Sequence, residues 1–95
     1  MRVHWTNTAI GHLLAVYEHL AGDSPIYAKR IVDRLIRRSE QAAEFPRSGR
    51  IVPEYENQDI REVIERPYRI IYRVAADRIE VLAVVHGMQM LPPAR

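Results

Sequence analysis

The chain has 95 residues, of which 47% are apolar and 27% charged, a globular composition rather than a disordered one. We expect residues 1–95 to form one domain, since this length leaves no room for a second core. The absence of cysteine excludes disulfides and thiolate metal sites. The first residues reach a polar cluster before any long apolar run, so we expect no signal peptide, no membrane role and a cytoplasmic location.

The basic residues are almost all arginine. The formal net charge is +2, and Lys29 is the only lysine among fourteen basic residues. A guanidinium is a planar fork that pairs with phosphate or carboxylate, which an ammonium group does not match. The bias therefore favours polyanions or acidic proteins as partners, although twelve acidic residues dilute it.

The first half of the chain is predicted to begin with a short strand and a helix. Apolar and polar residues alternate over residues 2–6, which indicates the strand. Thr6, Asn7 and Thr8 offer caps for the helix, and Gly22 is placed to end it in a left-handed conformation. Apolar residues at steps of three and four define the face expected to be buried. These are Ile10, Leu13, Leu14, Tyr17, Leu20 and Ala21.

A second helix is predicted from Pro25 to Phe45. Asp23 or Ser24 caps it, and Pro25 fits the first turn because its missing N–H does no harm there. Pro46 disfavours helical geometry at Phe45 and closes the helix. The short link between the two helices makes them an antiparallel hairpin. The apolar stripe, interrupted by Ser39, is Ala28, Ile31, Val32, Leu35, Ile36, Ala42 and Ala43.

The second half is predicted to contain a long loop and three strands. The loop covers residues 46–58, a length that is often functional in compact domains. The predicted strands are residues 60–65, 68–75 and 79–85. The order β-α-α-β-β-β predicts a two-layer α+β fold in which the helical hairpin covers one face of a mainly antiparallel sheet.

The strand at residues 68–74 alternates between bulky apolar residues and a face that carries Arg69 and Arg73. A turn at residues 76–77 fixes its register against the last strand. The pairs expected on the core face are Val74 with Ile79, Tyr72 with Val81, and Ile70 with Ala83. The pairs expected on the other face are Arg73 with Glu80, Ile71 with Leu82, and Arg69 with Val84. This register places His86 one step beyond Arg69 on the same uncovered face.

Four short motifs follow one another at a characteristic spacing. They are FPRSGRIVPE at residues 45–54, IRE at 60–62, YRIIYR at 68–73 and VLAVVHG at 81–87. Together they resemble the RelE/ParE superfamily of bacterial toxins, and the resemblance covers nearly the whole chain. It implies the toxin half of a type II toxin–antitoxin operon, in a hetero-oligomer with a tightly bound cognate antitoxin protein.

The superfamily is divided by target, since RelE-like members cut mRNA in the ribosomal A site and ParE-like members block DNA gyrase. Metal-free RNA cleavage needs a base, a cation near the phosphate and an acid. Glu54, Arg69 and His86 match the set that looks catalytic in one branch of the nucleases. The first hypothesis is therefore a ribosome-dependent mRNA endonuclease without a cofactor or metal. The residues predicted to contact nucleic acid are Arg50, Arg61 and Arg73.

Two alternatives stay open, a non-enzymatic inhibitor of DNA gyrase and a degenerate toxin that only binds its antitoxin. Glu54 is equally explained as a loop carboxylate paired with an arginine, and Arg73 as a structural partner of Glu80. No aromatic residue follows His86 to stack on a cleaved base, and one lysine is few for a ribosome binder. We expect the antitoxin to dock on an exposed sheet edge beside an apolar helical groove.

Overall fold

The computed structural model describes residues 1–87, which form two helices and one five-stranded sheet with the strand order β1-β5-β4-β3-β2. The helices are α1 (Asn7–Ala21) and α2 (Pro25–Glu44), followed by a 3-10 turn at Pro46–Ser48. The strands are β1 (Arg2–Trp5), β2 (Arg50–Ile51), β3 (Ile60–Glu65), β4 (Tyr68–Val74) and β5 (Arg78–His86). None of the helices in residues 1–87 is long and apolar enough to cross a membrane.

The predicted α+β order is confirmed, and the sheet is mixed rather than purely antiparallel. β1 lies parallel to β5, while the remaining neighbours in the sheet are antiparallel. The sequence did not predict β2, which is only two residues long and lies within the expected loop. The helical hairpin packs on one face of the sheet, and its apolar residues join those of β3, β4 and β5 in the main core.

Helix α2 forms as predicted. The Ser24 hydroxyl accepts a hydrogen bond of 3.2 Å from the Tyr27 N–H, and Pro25 occupies the first turn. The stripe from Ala28 to Ala43 supplies the buried residues of the helix. Ser39, which interrupts this stripe, is buried and donates to the Ile36 carbonyl at 2.6 Å, so its hydroxyl has a partner.

The predicted buried face of α1 is correct for Leu13 and Leu20, which pack against the core, and wrong for the residues that point outward. Its core contacts come from Ala9, which is fully buried, and from three partly buried residues, Leu13, Val16 and Leu20. The other half of the predicted face points outward, with Ile10, Leu14 and Tyr17 exposed by 42%, 57% and 37%. The helix carries two apolar stripes, and periodicity alone cannot decide which one meets the sheet.

The end of α1 also differs from the prediction. Gly22 does follow the last helical residue, but it is right-handed, with φ −57° and ψ −33°. The N–H groups of Asp23 and Ser24 both donate to the Leu20 carbonyl, at 3.1 and 3.0 Å, which gives this carbonyl at the end of the helix its partners. Pro25 then begins the next helix. No left-handed residue is needed at this turn.

The β4–β5 register is correct near the turn and wrong beyond it. Val74, Arg73 and Tyr72 stand opposite Ile79, Glu80 and Val81, as predicted. A bulge then leaves Leu82 without a partner, so that the remaining pairs are Ile71 with Ala83, Ile70 with Val84, Arg69 with Val85 and Tyr68 with His86. One extra residue reverses which side chains face the core, so Val84 rather than Ala83 is buried there.

Gly49 packs tightly against the side chain of Tyr72. Tyr72 is fully buried, and its hydroxyl donates to the Pro46 carbonyl at 2.6 Å. A methyl group at Gly49 would clash with the Tyr72 hydroxyl and stand 3.0 Å from the Glu62 carbonyl oxygen. Glycine is therefore required for space rather than for backbone conformation, since φ is −66°.

We expect Gly49→Ala to lower the free energy of unfolding by about 1–3 kcal/mol through overpacking. In a Tyr72→Phe background, where the hydroxyl is absent, the same change should cost clearly less. Urea unfolding of the two single variants and the double variant measures this coupling. Strictly additive losses would contradict the steric explanation.

Candidate functional site

The sheet face that points away from the helices was predicted to be uncovered, but it is covered around Arg69. Arg69 is 7% exposed, and Glu62, on the same face of the neighbouring strand, is 1% exposed. Arg50 in β2 and Glu54 in the turn after it reach these two side chains. The segment that follows α2 therefore folds over this face and closes it at Arg69.

Arg69 lies between two carboxylates. Its Nε donates to Glu62 Oε1 at 2.8 Å, while Nη1 and Nη2 donate to the two oxygens of Glu54 at 3.0 and 2.9 Å. The second oxygen of Glu62 accepts from Arg50, whose Nε lies 2.7 Å away. Two guanidinium groups and two carboxylates thus form one charge-balanced network, which we call the Arg69 network. Within residues 1–87, no buried side-chain nitrogen or oxygen lacks a hydrogen-bond partner.

The network shifts the pKa values of Glu54 and Arg69, which pair with each other at its outer side. Hydrogen bonding to Arg69, reinforced by the positive charges of Arg69 and Arg50, lowers the pKa of Glu54 from the ordinary 4.5. The pKa of Arg69 is raised, mainly by its hydrogen bonds to Glu54 and then by those to Glu62. Glu54 is therefore a weaker base than an ordinary glutamate.

We expect this pairing to make the protein acid-sensitive. Arg69 lowers the pKa of Glu54 and Arg73 lowers that of Glu80, both from 4.5, so their stabilisation is complete above pH 4.5. It is lost as the pH falls through the lower folded-state values. Urea midpoints should hold steady above this pH and decrease below it, with a smaller decrease in Glu54→Gln. A flat profile below pH 4.5 would contradict the pairing.

His86 does not lie where the sequence placed it. The bulge in β5 moves it opposite Tyr68, and their ring centroids are 6.1 Å apart in an edge-to-face arrangement. Tyr68 packs against the main core, so His86 is on the helix side of the sheet rather than on the side of Arg69. At the end of β5, His86 lines two separate cavities of the protein.

The three arginines predicted to contact nucleic acid all have protein partners. Arg61 donates to the carbonyl oxygens of Gln58, Arg47 and Gly49 at 2.7, 3.1 and 3.1 Å, which ties together the two ends of the loop. Arg73 pairs with Glu80 across the strands, as the structural reading of the sequence expected. Arg50 is held by Glu62, yet its side chain is 64% exposed. The nucleic-acid role of all three arginines remains a prediction.

One cavity of about 580 Å³ brings together the three residues predicted to be catalytic. Glu54, Arg69 and His86 all line it, and so do Arg50 and Arg66. Among residues 1–87, no group of three or more His, Cys, Asp or Glu side chains is placed to hold a metal ion.

Glu62 is the member of the site that the sequence did not single out. Its side chain is fully buried and contacts both Arg50 and Arg69. A signal was present, since the turn at residues 66–67 pairs Ile64 with Arg69 and Glu62 with Ile71. Alternation along β3 then puts Glu62 diagonally beside Arg69 on the same face. The register predicted from the sequence covered β4 with β5 but not β3 with β4.

Comparison with known proteins places the chain in a class of bacterial toxins. Residues 3–91 match the family described as "ParE toxin of type II toxin-antitoxin system, parDE". The chain therefore belongs to the ParE toxin family, within the RelE/ParE superfamily that its motifs resemble.

Three similar proteins support this membership. "Putative toxin Y4kP" of Sinorhizobium fredii is 33% identical over 93 residues, covering 96% of this chain and 93% of that protein. "Toxin RelE2" of Caulobacter vibrioides is 30% identical over 90 residues, covering 94% and 98%. The solved structure "Chromosomal ParDE TA system from P. aeruginosa" superposes with a TM-score of 0.76 at 25% identity, covering 90% of this chain and 95% of its own.

Proposed function

We propose that this chain is the toxin of a type II toxin–antitoxin module and that it acts by binding DNA gyrase in the cytoplasm rather than by cutting RNA. The observation that carries the proposal is the closed Arg69 network. A cation that stabilises a reacting phosphate must point N–H groups at the developing charge. The terminal nitrogens of Arg69 point instead at both oxygens of Glu54.

The other two members of the predicted catalytic set also favour binding over cleavage. Glu54 has a lowered pKa, which makes it a poor general base near neutral pH. His86 stands opposite Tyr68, on the other side of the sheet from Arg69. Membership of the ParE toxin family supports gyrase as the target, because ParE-like members of the superfamily block that enzyme.

Ribosome-dependent mRNA cleavage is the second candidate, and one observation favours it. Glu54, Arg69 and His86 line the same cavity despite their different orientations. One relative, moreover, is called "Toxin RelE2". Under this alternative, all three side chains are needed for toxicity.

Glu54→Gln separates the two candidates. We expect the variant to stop growth as the native toxin does, with translated messages left intact in primer extension. Glu56→Gln, which changes an exposed carboxylate two residues away, is the matched control. Two results together would contradict gyrase binding and support RNA cleavage. Cells that express folded Glu54→Gln would grow normally, and the native toxin would cut translated mRNA.

The antitoxin, in this proposal, covers the outer stripe of α1. Ile10, Leu14 and Tyr17 recur at steps of four and three, so they form one exposed apolar face. Glu18 is the sole charged residue of α1, whereas α2 carries Lys29 and four arginines. An amphipathic helix with an apolar side for α1 and acidic residues for α2 fits this surface.

A further inference from the structure

The cavity beside Arg69 has a floor without net charge. Its volume is about 580 Å³, and Arg50, Glu54 and Arg69 line it. All three belong to the Arg69 network, in which the carboxylates of Glu54 and Glu62 balance the two guanidinium groups. Because these charges cancel and hold one another in place, the floor offers little attraction to an anion.

The walls of the same cavity are apolar. Pro53, Ile64, Pro67 and Tyr68 line it around the network. Ile64 is 45% exposed, so covering it with another apolar group would be favourable. Pockets of this kind, in which a partner's side chain loses its contact with water, are where the binding energy of protein interfaces is concentrated. The cavity therefore fits an apolar side chain of another protein.

Arg66 supplies the charge that this surface presents to a partner. It stands in the turn between β3 and β4, is exposed, and lines the cavity. The other two arginines of the cavity, Arg50 and Arg69, are held by glutamates. Within residues 1–87, Arg66 has no ion pair and no side-chain hydrogen bond. A carboxylate of the partner is its natural complement.

The cavity and the outer stripe of α1 lie on opposite sides of the molecule. Ile64 stands opposite Arg69 on the sheet face that points away from the helices. The helices pack on the other face, and the outer stripe is on their exposed side. An antitoxin on α1 and a partner in the cavity therefore use different surfaces of the toxin.

We propose that this cavity is the surface through which the toxin binds gyrase, and that it receives an apolar side chain of that enzyme with a carboxylate beside Arg66. The inference rests on the proposed function, which names the partner, and adds where and through what chemistry the two proteins meet. The antitoxin leaves the cavity uncovered and excludes gyrase by its bulk, since the toxin measures only 38 × 27 × 21 Å.

The test is surface plasmon resonance of purified toxin on immobilised gyrase. We expect Ile64→Glu to bind about 30-fold or more weakly than the native toxin, the effect of disrupting the centre of an interface. Ile64→Leu, which keeps an apolar side chain of equal volume, should stay within about threefold of native. Native affinity of Ile64→Glu for the cognate antitoxin shows that the variant is folded.

Ile51→Glu is the matched control for location. Ile51 is 42% exposed, and it pairs with Arg61, which places it on the other side of the sheet from Ile64. The same charge is thus introduced at an equally exposed isoleucine outside the cavity. Its affinity for gyrase should stay within about threefold of native, since a charge at an exposed position keeps its hydration and is screened.

Arg66→Gln tests the carboxylate of the partner. It should weaken gyrase binding by about five- to tenfold and reduce the dependence of the affinity on salt, because one charge pair at the edge of the interface is lost. Arg2→Gln removes the same charge from β1, at the opposite edge of the sheet, and should change neither property. Native affinity and salt dependence in Arg66→Gln would overturn the assignment of a carboxylate there.

Failure of this inference and failure of the proposed function give different results. If the native toxin binds gyrase and folded Ile64→Glu binds it equally well, the cavity is not the contact surface. Equal losses in Ile64→Glu and Ile51→Glu would overturn the inference in the same way. Both results leave gyrase as the target. A native toxin that does not bind gyrase would overturn the proposed function and the inference together.

Discussion

Replacing Glu62 by alanine should lower the free energy of unfolding by about 3–5 kcal/mol, the usual loss when a buried ion pair loses one partner. Glu62 is fully buried and accepts hydrogen bonds from both Arg50 and Arg69. Without it, Arg69 keeps its burial but loses the partner of its Nε. A loss of this size is a large part of the 5–15 kcal/mol that stabilises a typical domain.

Urea unfolding at pH 7 measures this loss, with Glu65→Ala as the matched control. Glu65 lies in the same strand and pairs with Arg34, but both side chains are partly exposed, at 25% and 44%. The control should therefore lose at most about 1 kcal/mol. Glu62→Gln keeps the volume and one acceptor and should fall between the two alanine variants. Similar losses in Glu62→Ala and Glu65→Ala would contradict the buried role of Glu62.

Replacing Leu14 by glutamate should weaken antitoxin binding by about 30-fold or more, the effect of removing an interface residue worth about 2 kcal/mol. Leu14 is 57% exposed at the centre of the outer stripe of α1. A charge there faces the apolar side of the proposed antitoxin helix and loses its hydration on binding. The fold should tolerate the change because Leu14 contributes nothing to the main core.

Titration calorimetry with the cognate antitoxin measures this effect, and Ile64→Glu is its control. Ile64 is 45% exposed, and it stands opposite Arg69 on the sheet face that points away from the helices. The two variants introduce the same charge at similarly exposed apolar positions on opposite sides of the molecule. Unchanged affinity in Leu14→Glu, or an equal loss in both, would contradict docking on α1.

The sequence determines the order of elements well because each helix and turn has local signals. Ser24 and Pro25 cap α2, and the turn at residues 76–77 sets the first three pairs of β4 with β5. The bulge at Leu82 has no local signal, since the apolar run that contains it accepts either register. Because of this one extra residue, His86 lies on the opposite side of the sheet from Arg69 and not beside it as predicted.

The candidate site was only partly visible in the sequence for a related reason. Glu54, Arg69 and His86 were found through the resemblance to nucleases, and the structure does bring them to one cavity. Whether Arg69 is available depends on tertiary contacts with Glu62 and Arg50, which are distant in sequence. Long-range ion pairs leave no periodic pattern of their own, so the pairing of Glu54 with an arginine stood as one of two interpretations of the sequence, and the structure shows that its partner is Arg69.

The central claim, that this toxin acts by binding gyrase, is tested most directly by gyrase supercoiling of relaxed plasmid in the presence of the purified chain. We expect supercoiling to be lost once the toxin exceeds the enzyme, and to return when the cognate antitoxin is added. Glu54→Gln should inhibit as well as the native protein. Normal supercoiling at a large excess of folded toxin would contradict the claim.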